Sequence, residues 1–302
     1  MKIQARKITS LAGHKDCIYA LEQGIEEGSV LSSGGDGLVA IWDLKKPEIG
    51  KLVAQVPQSV YALKKIKEKN QLLVGQNTEG LHLIDLENIK ELRSLKTTRT
   101  SIFDIQYDEN RIYVAYADGT VHLLDLDKWT IQNSVRASDK SARSIAIQPQ
   151  IGHLAVAYSD FAIRIFDLKT LHLLFQWQAH QNSVFSVVYS PDGRFLLSGG
   201  RDAHLKVWDV QDNYRLLQDI PAHLFAINHI TFSPQGNWFA TCSMDKSIKI
   251  WDTQHFKLLK VIDKARYAGH GTSVNKLVWT NYQDFLVSGS DDRTLSLWEI
   301  TG

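Results

Sequence analysis

"LLSGGRDAHLKVWD", residues 196–209, reads as a strand, a tight turn and a second strand that closes on Trp208-Asp209. The same closure, an apolar residue followed by an acid, recurs at Trp42-Asp43, Ile84-Asp85, Leu124-Asp125, Phe166-Asp167, Trp251-Asp252 and Trp298-Glu299. Successive closures are 42, 40, 42, 42, 43 and 47 residues apart. A period in this range marks an array in which each repeat is a small sheet unable to bury its own faces, so neighbouring repeats must cover them. The unbroken spacing leaves no room for a linker, and one domain spanning 1–302 is expected.

Three further stretches align with the first: "LSSGGDGLVAIWD" (31–43), "FATCSMDKSIKIWD" (239–252) and "FLVSGSDDRTLSLWE" (285–299). In all four repeats a His stands 28 residues before the Trp: His14 to Trp42, His180 to Trp208, His223 to Trp251 and His270 to Trp298. The combination of upstream His, turn Asp and closing Trp resembles the WD-repeat β-propeller family, and the likeness runs through essentially the whole chain. It implies an all-β fold: a single seven-bladed β-propeller with four-stranded blades. Each blade is expected to be strands of five to seven residues, such as "SVFSVVYS", "RFLLSGG", "HLKVWDV" and "YRLLQDI" in the fifth repeat, without helical spacing anywhere.

The two ends are out of phase with the blades. "KIQARKI" (2–8) precedes the first His as "YRLLQDI" precedes His223, while the chain stops four residues after Trp298. The resemblance implies that an N-terminal strand, about residues 2–9, completes the last blade, with Ile3 to Ile8 beside Thr294 to Ile300. Such closure removes two open sheet edges.

Each strong repeat carries a His, a hydroxyl, an Asp and a Trp at fixed offsets. The sets are His14, Ser32, Asp36, Trp42; His180, Ser198, Asp202, Trp208; His223, Thr241, Asp245, Trp251; and His270, Ser288, Asp292, Trp298. A Ser/His/Asp trio invites a hydrolase reading, but an active site is needed once and this set occurs four times. The resemblance implies a structural tetrad instead, in which indole N–H, hydroxyl, imidazole and carboxylate are hydrogen-bonded in sequence. Repeats two to four lack it together: Val74, Val114 and Val156 replace the hydroxyl, Ile84, Leu124 and Phe166 replace the Trp, and no His precedes them at the expected place. Coordinated loss is the physically sensible route, since a half-satisfied buried network is worse than none. These blades are expected to rest mostly on apolar packing and to open more readily, with Asp118 and Asp160 serving only local turn geometry.

With chemistry discounted, function is expected on a surface. In the resembled family, partners meet side chains three and five residues after the His and the residue before the turn Asp. Carried onto this chain, the fifth position holds Tyr19, Tyr61, Phe103, Arg143, Phe185, Asn228 and Asn275, and the third holds small residues, Cys17, Ser59, Ser101, Ser141, Ser183, Ala226 and Ser273. The residues before the turn include Arg201 and Met244. The aromatics either pack sideways or form a docking ring, and exposed Tyr, Phe and Arg are the side chains that anchor interfaces. A partner-binding set of Tyr19, Tyr61, Phe103, Arg143, Phe185, Arg201, Asn228, Met244 and Asn275 is therefore expected, with an acidic or phosphorylated peptide segment near the two arginines.

The function expected is a non-enzymatic protein-protein interaction scaffold, a monomer within a larger complex. The alternatives are a channel-mouth enzyme, for which Asp16 and Asp104 lie near the mouth but on separate repeats, and a single-stranded nucleic-acid binder, disfavoured by a net charge of +1. No cofactor and no metal are expected. The basic run "KKIKEK" (64–69) is expected to be a solvated turn, and the additional "KARY" before His270, with Arg266 and Tyr267, a tolerated loop or a contact element. Cys17 and Cys242 stand alone, which suits a reducing compartment. Absence of a signal-like or spanning apolar run leads to the expectation of a cytoplasmic protein without membrane contact.

Overall fold

A computed structural model describes residues 3–47, 50–96 and 100–302. Seven four-stranded antiparallel sheets follow one another around a ring, six of them built from consecutive strands. The fifth blade, for example, runs Val184–Tyr189, Phe195–Gly200, His204–Asp209 and Arg215–Pro221 from the channel outward. The second strand of each blade is nearly all buried because both its faces meet a neighbouring blade, whereas outer strands such as Lys90–Leu95 and Thr130–Arg136 face water. The core accordingly lies between blades, not within them: Ala62, Ile66, Leu73 and Leu83 of the second pack on Ile102, Ile105, Ile112 and Val114 of the third.

The seventh blade, Val274–Trp279, Leu286–Ser290 and Thr294–Thr301, takes Gln4–Ala12 as its outer strand. The partner is the expected one, but pairing runs from Gln4 opposite Thr301 to Ala12 opposite Thr294, with a bulge between Lys7 and Thr9, so the strand extends beyond the 2–9 range. Leu11, almost fully buried, is the reason, since it enters the core beside Leu295 and Leu297. Residue 2 lies outside the described residues.

The expectation of no helix needs correction at "KARY". Lys264–Tyr267 forms one helical turn, capped by the Asp263 carboxylate accepting from the Arg266 N–H at 2.9 Å. It is not an idle loop: the Ala268 carbonyl accepts from Lys7 Nζ at 2.8 Å, and Tyr267 packs on the core cluster of Ile3 and Ile300. The insertion thus helps hold the closing strand. "KKIKEK" also departs from a simple turn, because Lys64 to Ile66 finish the strand Val60–Ile66 and only Lys67–Lys69 make a 3-10 turn. Among the described residues, no helix is long and apolar enough to cross a membrane.

Candidate functional site at the mouth of the channel

Every innermost strand carries a register shift at the same place, between Ile18 and Ala20, Val60 and Ala62, Ile102 and Asp104, and so on to Val274 and Lys276. The residue skipped is the fifth-position residue in all seven blades. A bulge re-aims one side chain while its neighbours keep facing the core, and Val60, Ile102 and Val184 are indeed fully buried. Plain alternation had suggested the same burial; the bulge is its actual cause.

The seven re-aimed side chains, Tyr19, Tyr61, Phe103, Arg143, Phe185, Asn228 and Asn275, line one cavity of 450 Å³, together with Lys276. Five of them form a continuous arc. Tyr19 and Tyr61 have ring centroids 5.0 Å apart, Tyr61 meets Phe103 edge-on at 5.7 Å, and the Arg143 guanidinium lies 4.2 Å from the Phe103 ring and 4.9 Å from Phe185. The aromatics thus pack sideways on one another while remaining half-buried at the cavity wall. Burial draws the Arg143 guanidinium below its ordinary pKa, with Tyr61 acting the other way. Among the described residues no carboxylate or other hydrogen-bond acceptor engages it. On the opposite arc, Asn275 Nδ2 donates to the Asp291 carboxylate at 2.6 Å, and Asn228 donates to the Val274 carbonyl at 2.9 Å.

The small third-position residues do more than make room. In all seven blades their carbonyl accepts the N–H of the residue before the turn Asp, or before Thr78 in the second blade, at 2.8–3.1 Å. Ser59, Ser141 and Ser183 also donate their hydroxyls to a carbonyl of the preceding blade, and Ser101 to the Asn77 side chain, stitching blades together around the mouth. Ala226 has no hydroxyl to offer, so the sixth blade lacks this link. Asp104 is likewise structural, accepting from the N–H groups of Ile105 and, in the next blade, Ile145. Asp16 accepts from the Cys17 N–H. Burial pushes the Cys17 thiol up, away from the thiolate a nucleophile needs. Among the described residues there is no cluster of three or more His, Cys, Asp or Glu that could hold a metal ion.

Behind the mouth, the four polar quartets are closed chains. The Trp indole N–H donates to the hydroxyl at 2.8–2.9 Å, the hydroxyl meets His Nε2 at 2.7–2.8 Å, and His Nδ1 meets the turn carboxylate at 2.8–3.0 Å. The carboxylate also takes the N–H of the residue after the His, namely Lys15, Gln181, Leu224 or Gly271. Each quartet therefore pins the loop that leads into an innermost strand, and through it the bulge that aims a mouth residue.

Blades two to four are not held by apolar packing alone. Cross-strand pairs, partly or fully buried, stand in the place of the quartet: His82 Nε2 to Gln76 Oε1 at 2.9 Å, Tyr116 against His122 at 4.8 Å, and Arg164 over Tyr158 at 4.6 Å. Asp118 only braces its turn, but Asp160 also binds Arg164 through both oxygens, at 3.1 and 2.8 Å. The sequence signal was a bulky residue, Gln76, Tyr116 or Tyr158, where the strong repeats carry Gly34, Gly200, Ser243 or Ser290.

Burial opposes ionisation of Asp202, but the hydrogen bond and charge of His180, with the N–H groups of Gln181 and His204, outweigh it and hold the carboxyl at about 2. Asp245 and Asp292 are held low in the same way, by His223 and His270. A carboxylate whose native pKa lies below its unfolded value of about 3.9 stabilises the fold above that value, and the contribution is lost as pH falls through the native pKa. Asp202→Asn is thus expected to lower the urea midpoint at neutral pH, and the gap from the wild type should close between about pH 4 and about pH 2. A gap that stays constant over this range would count against the account.

A model of the WD domain, G-beta repeat, matches residues 5–43, 171–209, 214–252 and 262–299, about half of the chain. The chain belongs to the WD40 family. The matched segments are the blades with quartets. The WD40 propeller domain of Doa1, a crystal structure, superposes with a TM-score of 0.86 at 16 % identity over 98 % of this chain and 97 % of that one, a likeness of fold alone. Mouse periodic tryptophan protein 2 homolog is 23 % identical over 68 % of this chain and 24 % of its own length. The zebrafish GATOR2 complex protein WDR24 is 24 % identical over 92 % of this chain and 32 % of its own. This WD40 chain therefore spans only about a quarter to a third of the length of these two relatives. WD40 propellers generally serve as protein-interaction scaffolds.

Leu224 and Phe225, directly after His223, were not singled out by sequence reasoning, yet they are the most exposed large apolar side chains among the described residues. The signal was available, since the matching pairs elsewhere are Lys15-Asp16, Gln181-Asn182 and Gly271-Thr272.

Proposed function

We propose that this WD40 chain is a non-enzymatic, cytoplasmic scaffold, a monomer within a larger complex, whose channel mouth captures an acidic or phosphorylated segment of a protein partner. The observation that carries the reading is Arg143: a guanidinium with no acceptor among the described residues, set between the rings of Phe103 and Phe185 at the wall of the cavity. Fixed in place by both rings, it loses little freedom on meeting an anion, and partial burial strengthens a charge-assisted bond. Tyr19 and Tyr61 supply amphipathic surface for the adjoining apolar side chain. Arg201, exposed before its turn, offers a further cation to a second negative group.

Arg143→Met, which keeps the packing volume and deletes the charge, is expected to weaken binding of a captured acidic or phosphorylated peptide by about tenfold or more, and Arg143→Glu with Arg201→Glu further still. Affinity purification with these variants identifies the partner, and titration of its peptide at two salt concentrations measures the effect. Undiminished recovery by the charge-reversed protein would refute the placement.

A further inference from the structure

Leu224, Phe225 and Met244 are 84, 62 and 52 % exposed, more than any other large apolar residue described. They adjoin one another, because the Met244 N–H donates to the Ala226 carbonyl at 3.0 Å and the Ser243 hydroxyl to the Phe225 carbonyl at 3.0 Å. The backbone beneath them is held further by the Leu224 N–H donating to Asp245 at 3.0 Å. Large apolar side chains on so constrained a backbone are pre-organised, which lowers the entropic cost of covering them.

The charges around this patch are one-sided. Arg201 and Lys246, in the turns of the fifth and sixth blades, are exposed and make no ion pair among the described residues. The carboxylates of the same turns are already engaged, Asp202 by His180 and Asp245 by His223. In blades five and six the quartets thus engage the turn carboxylates Asp202 and Asp245 and leave the turn cations Arg201 and Lys246 free of ion pairs among the described residues.

We infer that the rim of the sixth blade is a second docking point, which receives an acidic protein segment bearing a large apolar side chain: the apolar group seats on Leu224, Phe225 and Met244 while carboxylates meet Arg201 and Lys246. The inference rests on the reading that this face receives a protein segment. Phe225 stands three residues from Asn228 at the mouth, no more than roughly 11 Å along the chain, so one partner segment can reach both anchors.

A phage-displayed library of random twelve-residue peptides, selected on the full chain, tests it. Sequences that pair a large apolar residue with nearby Asp or Glu are expected to enrich. Synthetic versions should bind Leu224→Ser/Phe225→Ser about tenfold or more weakly, with an unchanged melting temperature because both side chains are exposed. Arg201→Glu/Lys246→Glu should weaken the same peptides and steepen no salt dependence. Failure to enrich such sequences, binding by both variants as tight as that of the wild type, or rim-dependent binding of the protein to phosphatidylserine vesicles in place of peptide would overturn the inference. Arg143→Met separates the two anchors: loss there with full binding by the Leu224/Phe225 variant refutes the rim and keeps the mouth, and the reverse result refutes the mouth and keeps the rim.

Discussion

Removal of residues 1–12 is expected to abolish cooperative folding of the whole ring. The strand Gln4–Ala12 pairs with Thr294–Thr301 along its length, and its loss leaves that strand as an open edge. The deletion also strips Leu11 from the core of Leu295 and Leu297, and Ile3 from the core of Ile300. With about 2 kcal/mol for each buried aliphatic side chain and about 1 kcal/mol for each ladder hydrogen bond, the loss is on the order of 10 kcal/mol, comparable with the whole stability of a typical domain. The helical turn Lys264–Tyr267 would lose its Lys7 contact at the same time. Size-exclusion chromatography and thermal unfolding are expected to show aggregate without a sharp transition. A truncated chain that remained monomeric and melted within a few degrees of the wild type would mean that the ring does not depend on this closure.

The second large effect is expected inside a quartet. Ser198, fully buried, receives the Trp208 indole N–H at 2.8 Å and meets His180 Nε2 at 2.8 Å. Ser198→Val fills the same space and leaves both nitrogens without a partner, each at a cost of about 1–3 kcal/mol. A total loss of about 2–5 kcal/mol in chemical denaturation is the expected result. Adding Trp208→Phe removes one stranded donor, so the double variant should be less destabilised than the sum of the two single changes, and the coupling should be favourable. Blades two to four follow the same logic, with Val156 and Phe166 together at these two positions. Strict additivity, or a Ser198→Val protein as stable as the wild type, would show that the quartet contributes little to stability.

How much of this was legible in the residues depends on the reach of each interaction. The quartets were legible because their members keep constant offsets within one repeat, His180 to Ser198 to Asp202 to Trp208. The composition of the mouth was legible for the same reason, since one position per repeat supplies one wall residue. What could not be read was how those walls meet. Tyr19, Tyr61, Phe103, Arg143 and Phe185 are 40 or more residues apart, and nothing in a single repeat says that one guanidinium will lie between two phenyl rings. The bulge that aims them was hidden too, because it is a property of pairing between two strands and leaves no residue-specific mark.

The pairs that replace the quartets, Gln76 with His82 and Tyr158 with Arg164, escaped notice because each looked like ordinary strand composition until the cross-strand register put the partners side by side. "KARY" was visible as an insertion, but its contact with Lys7 joins segments 261 residues apart. The sequence alone determined the number of blades, through its periodicity, and the resemblance to the WD-repeat family, carried by fixed spacings, implied the closing strand and the residue types at the mouth. Only the tertiary structure decided that Arg143 lies between aromatics with no acceptor among the described residues, that small serines stitch the blades, and that the turn carboxylates of blades five and six are taken by their quartets beside an apolar rim. Those outcomes depend on which side chains of different repeats come into contact, and contact between repeats is settled by closing the ring.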